Sequence, residues 1–439
     1  MKTIGIGLSM LVAAGCGSAP EALPWTVVEA QERRFAPSPP AGPDLLSKEE
    51  FTLADVLALV EAMNPQLASE RGNVDLAQAA LWEAKLYPNP SLLLEVEDYR
   101  TRDGATTGKM ERSAGLAIPL VLSGRLGKAE SAAAAERDGA ALQYVWRRRE
   151  ILTEARRAFV LLLSARRGVE LAGETRDLAR AVRDASEERL RAQAAPEMEV
   201  LKAAVALAKA QIDLRSAEKE AELSLKSLHA LMGNIDFPKD RMSGELVARF
   251  AIPSLEALRG QAVAAHPLLE AAAKRREAAG FDLELAEAER FTDPQLEITA
   301  GRDPEDATIL EAGITIPLPL FNRNQARIAK AGTRIRQADH QKDAARNDLL
   351  LRLTESYLTL AAAQDRVEIY TEEILTKAGK ALDQTREGYR LGRFTYLDLL
   401  DSQRTLAEAK IAYQAALLDL NLAACDLEKL TGTPLEKLR

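Results

Sequence analysis

The side chains able to do chemistry are few and far apart. Three histidines (His229, His266 and His340) and two cysteines (Cys16 and Cys425) are the only imidazoles and thiols in 439 residues. A zinc or copper centre needs such groups to converge with carboxylates or with one another, and no spacing here gathers them. The seven methionines, dispersed along the chain, form no thioether ladder. Cys425 stands at helical spacing from Leu418 and Leu422, as a small apolar packing residue would. No nucleophile has a base beside it, so the sequence predicts no enzyme, no cofactor and no resident metal. What remains is charge. Glu199 and Asp398 each follow a break between two long helical stretches, and Asp401 lies three residues beyond Asp398. Carboxylates gathered at a constriction favour cations over anions; the plainer role of an acid near a helix start is to complement the helix dipole.

The elements that place these acids are written twice. Asn64-Pro65 and His266-Pro267 lie 202 positions apart, and Pro90 and Pro294 lie 204 apart. Gly115-Leu116-Ala117-Ile118-Pro119-Leu120 matches Gly313-Ile314-Thr315-Ile316-Pro317-Leu318 at 198, as do Arg125 with Arg323 and Val169-Glu170 with Val367-Glu368. Leu201 pairs with Leu400, and Leu231-Met232-Gly233 with Leu430-Thr431-Gly432, at 199. A drift this small over the whole length is an internal duplication of about 200 residues rather than a solenoid of short units.

Each copy runs through the same order. A short helix opens it (Leu53, Val56, Leu57, Val60; Leu255, Leu258, Val263), and a second helix ends towards Pro88 and Pro90, or Pro294. Two runs of period-two alternation follow. Leu92, Leu94 and Val96 oppose Glu95 and Glu97, and Leu296 and Ile298 oppose Gln295, Glu297 and Thr299. These predict one β-hairpin per copy, at about 91–118 and 294–318, with strands of about nine to eleven residues, enough to cross a bilayer when tilted. Proline then vanishes for 76 residues after Pro119 and for 114 after Pro319, which predicts a first helix of about 65 residues, on the order of 100 Å, and a returning helix about half as long. In copy two, Leu350, Leu353, Tyr357, Leu360, Val367, Ile374, Ala378 and Ala381 follow coiled-coil steps, with Gln364 and Thr371 as polar interruptions. The turn falls at Tyr389-Arg390-Leu391-Gly392, before a new helix near Thr395; copy one turns at 191–196, with Gln193 in the place of Gly392.

Composition narrows the setting. With 58 Lys+Arg against 66 Asp+Glu, a net charge of −8, and no basic cluster, nucleic acid is not a partner. No apolar run approaches the roughly 20 residues of a membrane-spanning helix. The start reads as a signal peptide over residues 1–15; Ala13-Ala14-Gly15-Cys16 resembles a bacterial lipoprotein signal, which implies lipidation of Cys16 and a lipid anchor. The expected layout continues with a Pro-rich tether (16–48), repeat 1 (49–236), a connector (237–252), repeat 2 (253–433) and a tail (434–439).

Four strands cannot close a barrel, and open edges in lipid leave backbone groups unpaired, so strands must come from several chains. Tyr87, Phe291 and Phe321 flank the strands on the helix side, as an interfacial aromatic belt would. This doubled layout, with Tyr87-Pro88-Asn89-Pro90-Ser91 and Tyr396-Leu397-Asp398-Leu399-Leu400, resembles the TolC-type outer-membrane factor family. Ile316-Pro317-Leu318-Pro319-Leu320-Phe321-Asn322-Arg323-Asn324-Gln325 resembles its heavy-metal (cobalt-zinc-cadmium and copper-silver) resistance branch. The resemblance implies a mostly α fold with a transmembrane β-barrel portion: a homotrimer with a twelve-stranded barrel in outer-membrane lipid and a periplasmic α-helical tunnel. Its implied partners are a periplasmic adaptor and an inner-membrane proton-driven pump of the RND type. At the tip of such a tunnel Glu199, Asp398 and Asp401 are the candidate gate, and Tyr389, Arg390, Leu391, Gly392 and Thr395 the candidate adaptor contact. The implied function is an efflux exit duct, for metal ions first and for drugs or secreted polypeptides second; a soluble periplasmic coiled-coil scaffold or adaptor is the alternative of a different class.

Overall fold

The computed structural model describes residues 50–437, apart from 98–100, 103–104, 107–110, 194–195, 235–240, 303–306 and 392. The expected signal peptide, Cys16, the tether and Gly392 lie outside the described residues. The described chain forms two compact units, one built from Val74–Ala141 with Lys274–Ala338 and the other from the remainder.

The first unit carries the sheet. Strands β1 (Ser91–Glu97), β4 (Glu111–Pro119), β6 (Gln295–Arg302) and β7 (Thr308–Thr315) form one antiparallel sheet in the order β1-β4-β6-β7. The two hairpins therefore join through β4 and β6, and β1 and β7 are left as edges. A two-residue pair, β2 (Thr101–Arg102) with β3 (Ala105–Thr106), lies in the first hairpin's loop, and in the second unit β5 (Phe250–Ala251) pairs with β8 (Glu436–Lys437). The strands hold 7, 9, 8 and 8 residues, mostly shorter than the nine to eleven expected. Like charges explain where the ladders stop: Glu97 is registered with Glu111, and Arg112 with Arg302, and such opposed pairs disfavour continued pairing. Two glycines let the central strands approach. A Cβ on Gly115 would collide with the Ile298 carbonyl oxygen, and one on Gly301 would lie 2.5 Å from that of Arg112. Beside the sheet, Arg125 binds Asp293 (2.6 Å) and Lys128 binds Glu284 (2.5 Å).

The helices follow the doubled plan. In copy one these are α1 (Leu53–Met63), α2 (Pro65–Lys85), α3 (Arg125–Arg191) and α4 (Glu197–Leu231). In copy two α5 (Leu255–Ala265), α6 (Pro267–Ala288), α7 (Gln325–Ile369), α8 (Leu375–Arg390) and α9 (Tyr396–Thr431) follow. The first long helix is an unbroken 67 residues. Its counterpart is not the single rod expected, because a π-turn at Tyr370–Ile374 divides it. Leu353, Leu360 and Val367 are buried seven residues apart, but Ile374 and Ala381 are exposed and the buried line resumes at Ala378. The wider turn changes the angle between residues on either side, so the stripe read from the sequence loses phase there.

Each copy closes its helices with the same devices. Asn64 Oδ1 accepts from the Leu67 amide (3.0 Å) and His266 Nδ1 from that of Leu268 (3.2 Å), so both cap the helix that starts at the next proline. Gly233 and Gly432 take left-handed backbone (φ +78° and +72°) at the ends of α4 and α9. A Cβ at Gly233 would meet the Met63 carbonyl, and one at Gly432 the Arg149 guanidinium. Arg148, 2% exposed, is held by Glu61 through Nε (3.0 Å) and Nη2 (2.7 Å). An apolar cluster lies in copy two, where Leu353, Leu360, Leu420 and Leu427 are fully buried.

Candidate functional sites: the sheet faces and the helical tips

The register gives the sheet two unlike faces. Leu94, Ala114, Ala300 and Leu310 form one cross-strand row, and Leu92, Leu116, Ile298 and Ala312 form the next. Opposed residues of an antiparallel ladder share a face, so over these rows the face is apolar across all four strands, and it turns polar only at the outer row, where Val96 lies with Arg112, Arg302 and Thr308. Leu92, Leu94, Val96, Leu310 and Ile314 on it are each more than 60% exposed. Alternation puts Glu95, Ser113, Glu297, Thr299 and Glu311 on the other face. Thr315 Oγ1 donates to Glu297 Oε1 there (3.0 Å). A side chain on the apolar face gains about 25 cal/mol per Å² when removed from water, so an exposed apolar sheet opposite an acidic one suits lipid on one side and water on the other.

At the tips, the acids read from the sequence occupy matched positions with different partners. Glu199 is the third residue of α4 and Asp398 the third of α9. In copy one the N-cap is Pro196, whose side chain accepts nothing, and Glu199 instead pairs with Arg189 across the turn (3.1 Å). Gln193 takes the left-handed conformation (φ +57°) that a glycine would adopt freely. In copy two, Asp398 Oδ2 accepts from the Thr395 hydroxyl (2.6 Å) and amide (2.8 Å), while Thr395 Oγ1 accepts from the Asp398 amide (3.3 Å). This is a capping box, and the Thr395 hydroxyl, then its amide, hold the exposed Asp398 carboxyl below the usual range. Asp401 is exposed. Of the expected adaptor residues, Leu391 is exposed, Thr395 is the cap, and α8 ends at Arg390, one residue after Tyr389. Sequence reading missed Gly388: the Phe394 ring lies over it, so any Cβ there would collide with the ring, and a glycine two residues before the helix end was the available signal. A cleft of about 430 Å³ lies between the tips, lined by Val182, Met198, Lys202, Ala203, Leu397 and Leu400.

The histidines stay apart. His229 and His266 are buried and His340 is exposed. His266 packs on Trp146 with ring centroids 4.8 Å apart. Burial first, and then Arg149, lower its pKa to about 3. Burial raises the Cys425 thiol to about 11, consistent with a packing residue rather than a nucleophile. Among the described residues no three His, Cys, Asp or Glu side chains converge as a metal site would require.

The sequence profile of the outer membrane efflux protein family matches residues 56–234 and 258–433, one segment in each copy. The chain belongs to the outer membrane efflux protein family. Within it, the chain is 28% identical to the cobalt-zinc-cadmium resistance protein CzcC of Cupriavidus metallidurans over 386 residues, 87% of this chain and 90% of that one. Its fold is shared with a crystallised membrane protein from Pseudomonas aeruginosa, with a TM-score of 0.71 at 18% identity over 86% of this chain and 93% of that one. Crystallised CusC gives a TM-score of 0.70 at 17% identity, over 87% and 92% of the two chains. This efflux protein therefore resides in the outer membrane. No helix among its described residues is long and apolar enough to span a bilayer, and the sheet is the element with a lipid-compatible face.

Proposed function

We propose that this chain is the exit duct of a tripartite efflux system for heavy-metal cations. It works as a homotrimer whose three four-stranded sheets close into twelve strands, docked to a periplasmic adaptor and an RND-type inner-membrane pump. The observation that carries this reading is the sheet, a lipid-compatible face backed by carboxylates and bounded by two unpaired edges. Edges in lipid cost several kcal/mol per unsatisfied backbone group, so neighbouring copies must pair β1 with β7. The helices support the same closure. Leu201, Val205 and Ile212 on α4, and Leu351 and Leu358 on α7, are more than half exposed at four- and seven-residue steps, the spacing at which helices pack against partner helices.

Two observations support a metal cargo: the similarity to CzcC along most of the chain, and Glu95, Glu297 and Glu311 on the face away from lipid. In this reading Asp398 and Asp401 line the tip gate. Glu199, paired with Arg189, adds less to the field. Tyr389, Arg390, Leu391, Gly392 and Thr395 form the adaptor contact, residues 49–236 and 253–433 are the two repeats, and Cys16 carries the lipid anchor. Deleting the gene and comparing tolerance to zinc, cobalt, cadmium, copper and hydrophobic drugs tests the cargo. Metal sensitivity with unchanged drug tolerance is expected; the reverse pattern refutes it.

A further inference from the structure

Pairing β7 of one copy with β1 of the next leaves the register of that seam open, and the duplication supplies it. Strand β1 corresponds to β6 at 204 positions, as Pro90 does to Pro294, and β4 to β7 at 198. These offsets carry the register of one hairpin onto the other. Ser91 opposite Ala117 becomes Gln295 opposite Thr315, and Leu94 opposite Ala114 becomes Ile298 opposite Ala312, both pairs that the sheet makes. The junction of β4 with β6 carries over in the same way onto β7 and the β1 of a neighbouring copy. Gly115 opposite Thr299 becomes Gly313 opposite Glu95, and Leu116 opposite Ile298 becomes Ile314 opposite Leu94.

Three features of copy two fit this register. The first is a glycine. At Gly115 the β6 backbone comes too close for a Cβ, which would collide with the Ile298 carbonyl oxygen and the Thr299 methyl. Gly313 repeats that glycine on an open edge, where a Cβ would meet nothing within 4 Å among the described residues and the backbone is not left-handed. Glycine inside a strand weakens it, and its usual reasons are a bulge or the close approach of another backbone. The carried-over register supplies that backbone, at the Leu94 carbonyl of the next copy. The second feature is strand length. Ile118 and Pro119 belong to β4 only through β6, and β7 stops at Thr315, two residues before the matching Pro317. The third lies just past the strand, where the Leu120 amide donates to the Pro294 carbonyl (2.7 Å). The same shift sets the Leu318 amide against the Pro90 carbonyl of the neighbour. At the far end it sets Glu311 opposite Glu97, like charges that stop a ladder. A slip of two residues would keep every side chain on its own face, so face polarity does not choose the register and the glycine must.

We propose that adjoining copies pair β7 with β1 in this one register, keyed by Gly313, which seats the Leu94–Glu95 backbone of its neighbour. Ile314 then lies opposite Leu94, Ile316 opposite Leu92, and the Leu318 amide bonds the Pro90 carbonyl. This rests on the trimeric-barrel reading and adds the residue that selects the seam. The test oxidises full-length protein carrying Leu94→Cys with Ile314→Cys in outer membranes and reads covalent dimers and trimers on non-reducing gels. Directly opposed residues stand about 4.5–5.5 Å apart and diagonal ones about 7–8 Å, so this pair should cross-link at least about tenfold more than Ile314→Cys with Leu92→Cys or with Val96→Cys. Cross-linking that is stronger in a slipped pair, or equal in all three, overturns the register and leaves the trimer standing. If none of the three cross-links, light scattering of the solubilised wild type separates the failures: a trimer means that β7 and β1 do not meet, and a monomer refutes the trimeric reading itself. Gly313→Val should lower the yield of trimer about tenfold with helical circular dichroism unchanged, because the added side chain overpacks only the seam. Ala312→Val, on the lipid face of the same strand, should leave the yield intact. A full yield of trimer from Gly313→Val would remove the glycine's role, and the cysteine pairs keep the register testable if that variant fails to fold.

Discussion

Gly233 and Gly432 end the returning helices with the same left-handed turn, and Asn64 and His266 cap the helices that start at Pro65 and Pro267. At the tips the copies part. Gln193 stands in left-handed backbone beside an uncapping Pro196 and an Arg189–Glu199 pair, while Thr395 and Asp398 form a reciprocal cap and Phe394 covers Gly388. The long helix leading to the second tip is broken at Tyr370–Ile374, and the one leading to the first is not. Where both copies must close a helix against a packed neighbour, the geometry has one cheap solution and both kept it. At the tips the two turns are closed by different local bonds, so neither copy is held to the other's geometry.

The largest expected effect breaks the apparent symmetry of the packed region. Glu61→Ala leaves Arg148 buried without this carboxylate and should cost about 3–5 kcal/mol, read by chemical denaturation in detergent. Arg346, 198 positions after Arg148, is exposed, so Arg346→Ala should stay within about 0.5 kcal/mol. Equal costs would mean that the copies share this pair after all. Next comes His266. Its folded pKa of about 3 lies below the ordinary 6.5, so the unfolded chain binds the proton first as pH falls. Its contribution is complete above about pH 6.5 and is lost progressively from there down to about pH 3, about 2 kcal/mol of it by pH 5. His266→Asn, which keeps a capping acceptor as Asn64 does, should remove that slope; an undiminished slope would show that other groups cause it.

At the tips the effects are smaller and opposite in sign. Gln193→Gly relieves left-handed backbone and should stabilise copy one by about 1 kcal/mol. Thr395→Ala removes the cap and should cost copy two about 1 kcal/mol. Thermal melts of the two variants should therefore shift in opposite directions. Smallest in energy but most direct for transport, neutralising Asp398 and Asp401 together should lower cation preference in planar bilayers, while Glu199→Gln should change it less, because Arg189 already offsets that charge. Unchanged selectivity in the double variant would move the gate elsewhere.

Much of this architecture was legible because it rests on periodicity. Alternation in Leu92–Val96 and Leu296–Ile298 exposed the strands, and absent proline exposed the long helices. Thr52-Leu53-Ala54-Asp55 and Thr395-Tyr396-Leu397-Asp398 carry capping-box signatures, a threonine and an aspartate three residues apart, at the starts of α1 and α9. The π-turn had no such mark, because Tyr370-Thr371-Glu372-Glu373-Ile374 has ordinary helical composition. Nor could sequence show that Glu199 turns to Arg189, a choice set by Pro196 having no cap to offer.

The π-turn also records how the copies diverged. The spacing between them is 198 at Val169 and Val367 but 199 at Leu201 and Leu400, so copy two holds one residue more in that interval, and Tyr370–Ile374 lies inside it. A residue added to an α-helix rotates everything beyond it by about 100°, which would turn each later apolar side chain off its partner. Looping the addition out leaves most of the downstream face usable. The second rod thus accommodates one residue more than the first, and the π-turn is the segment where the two counts could be brought level.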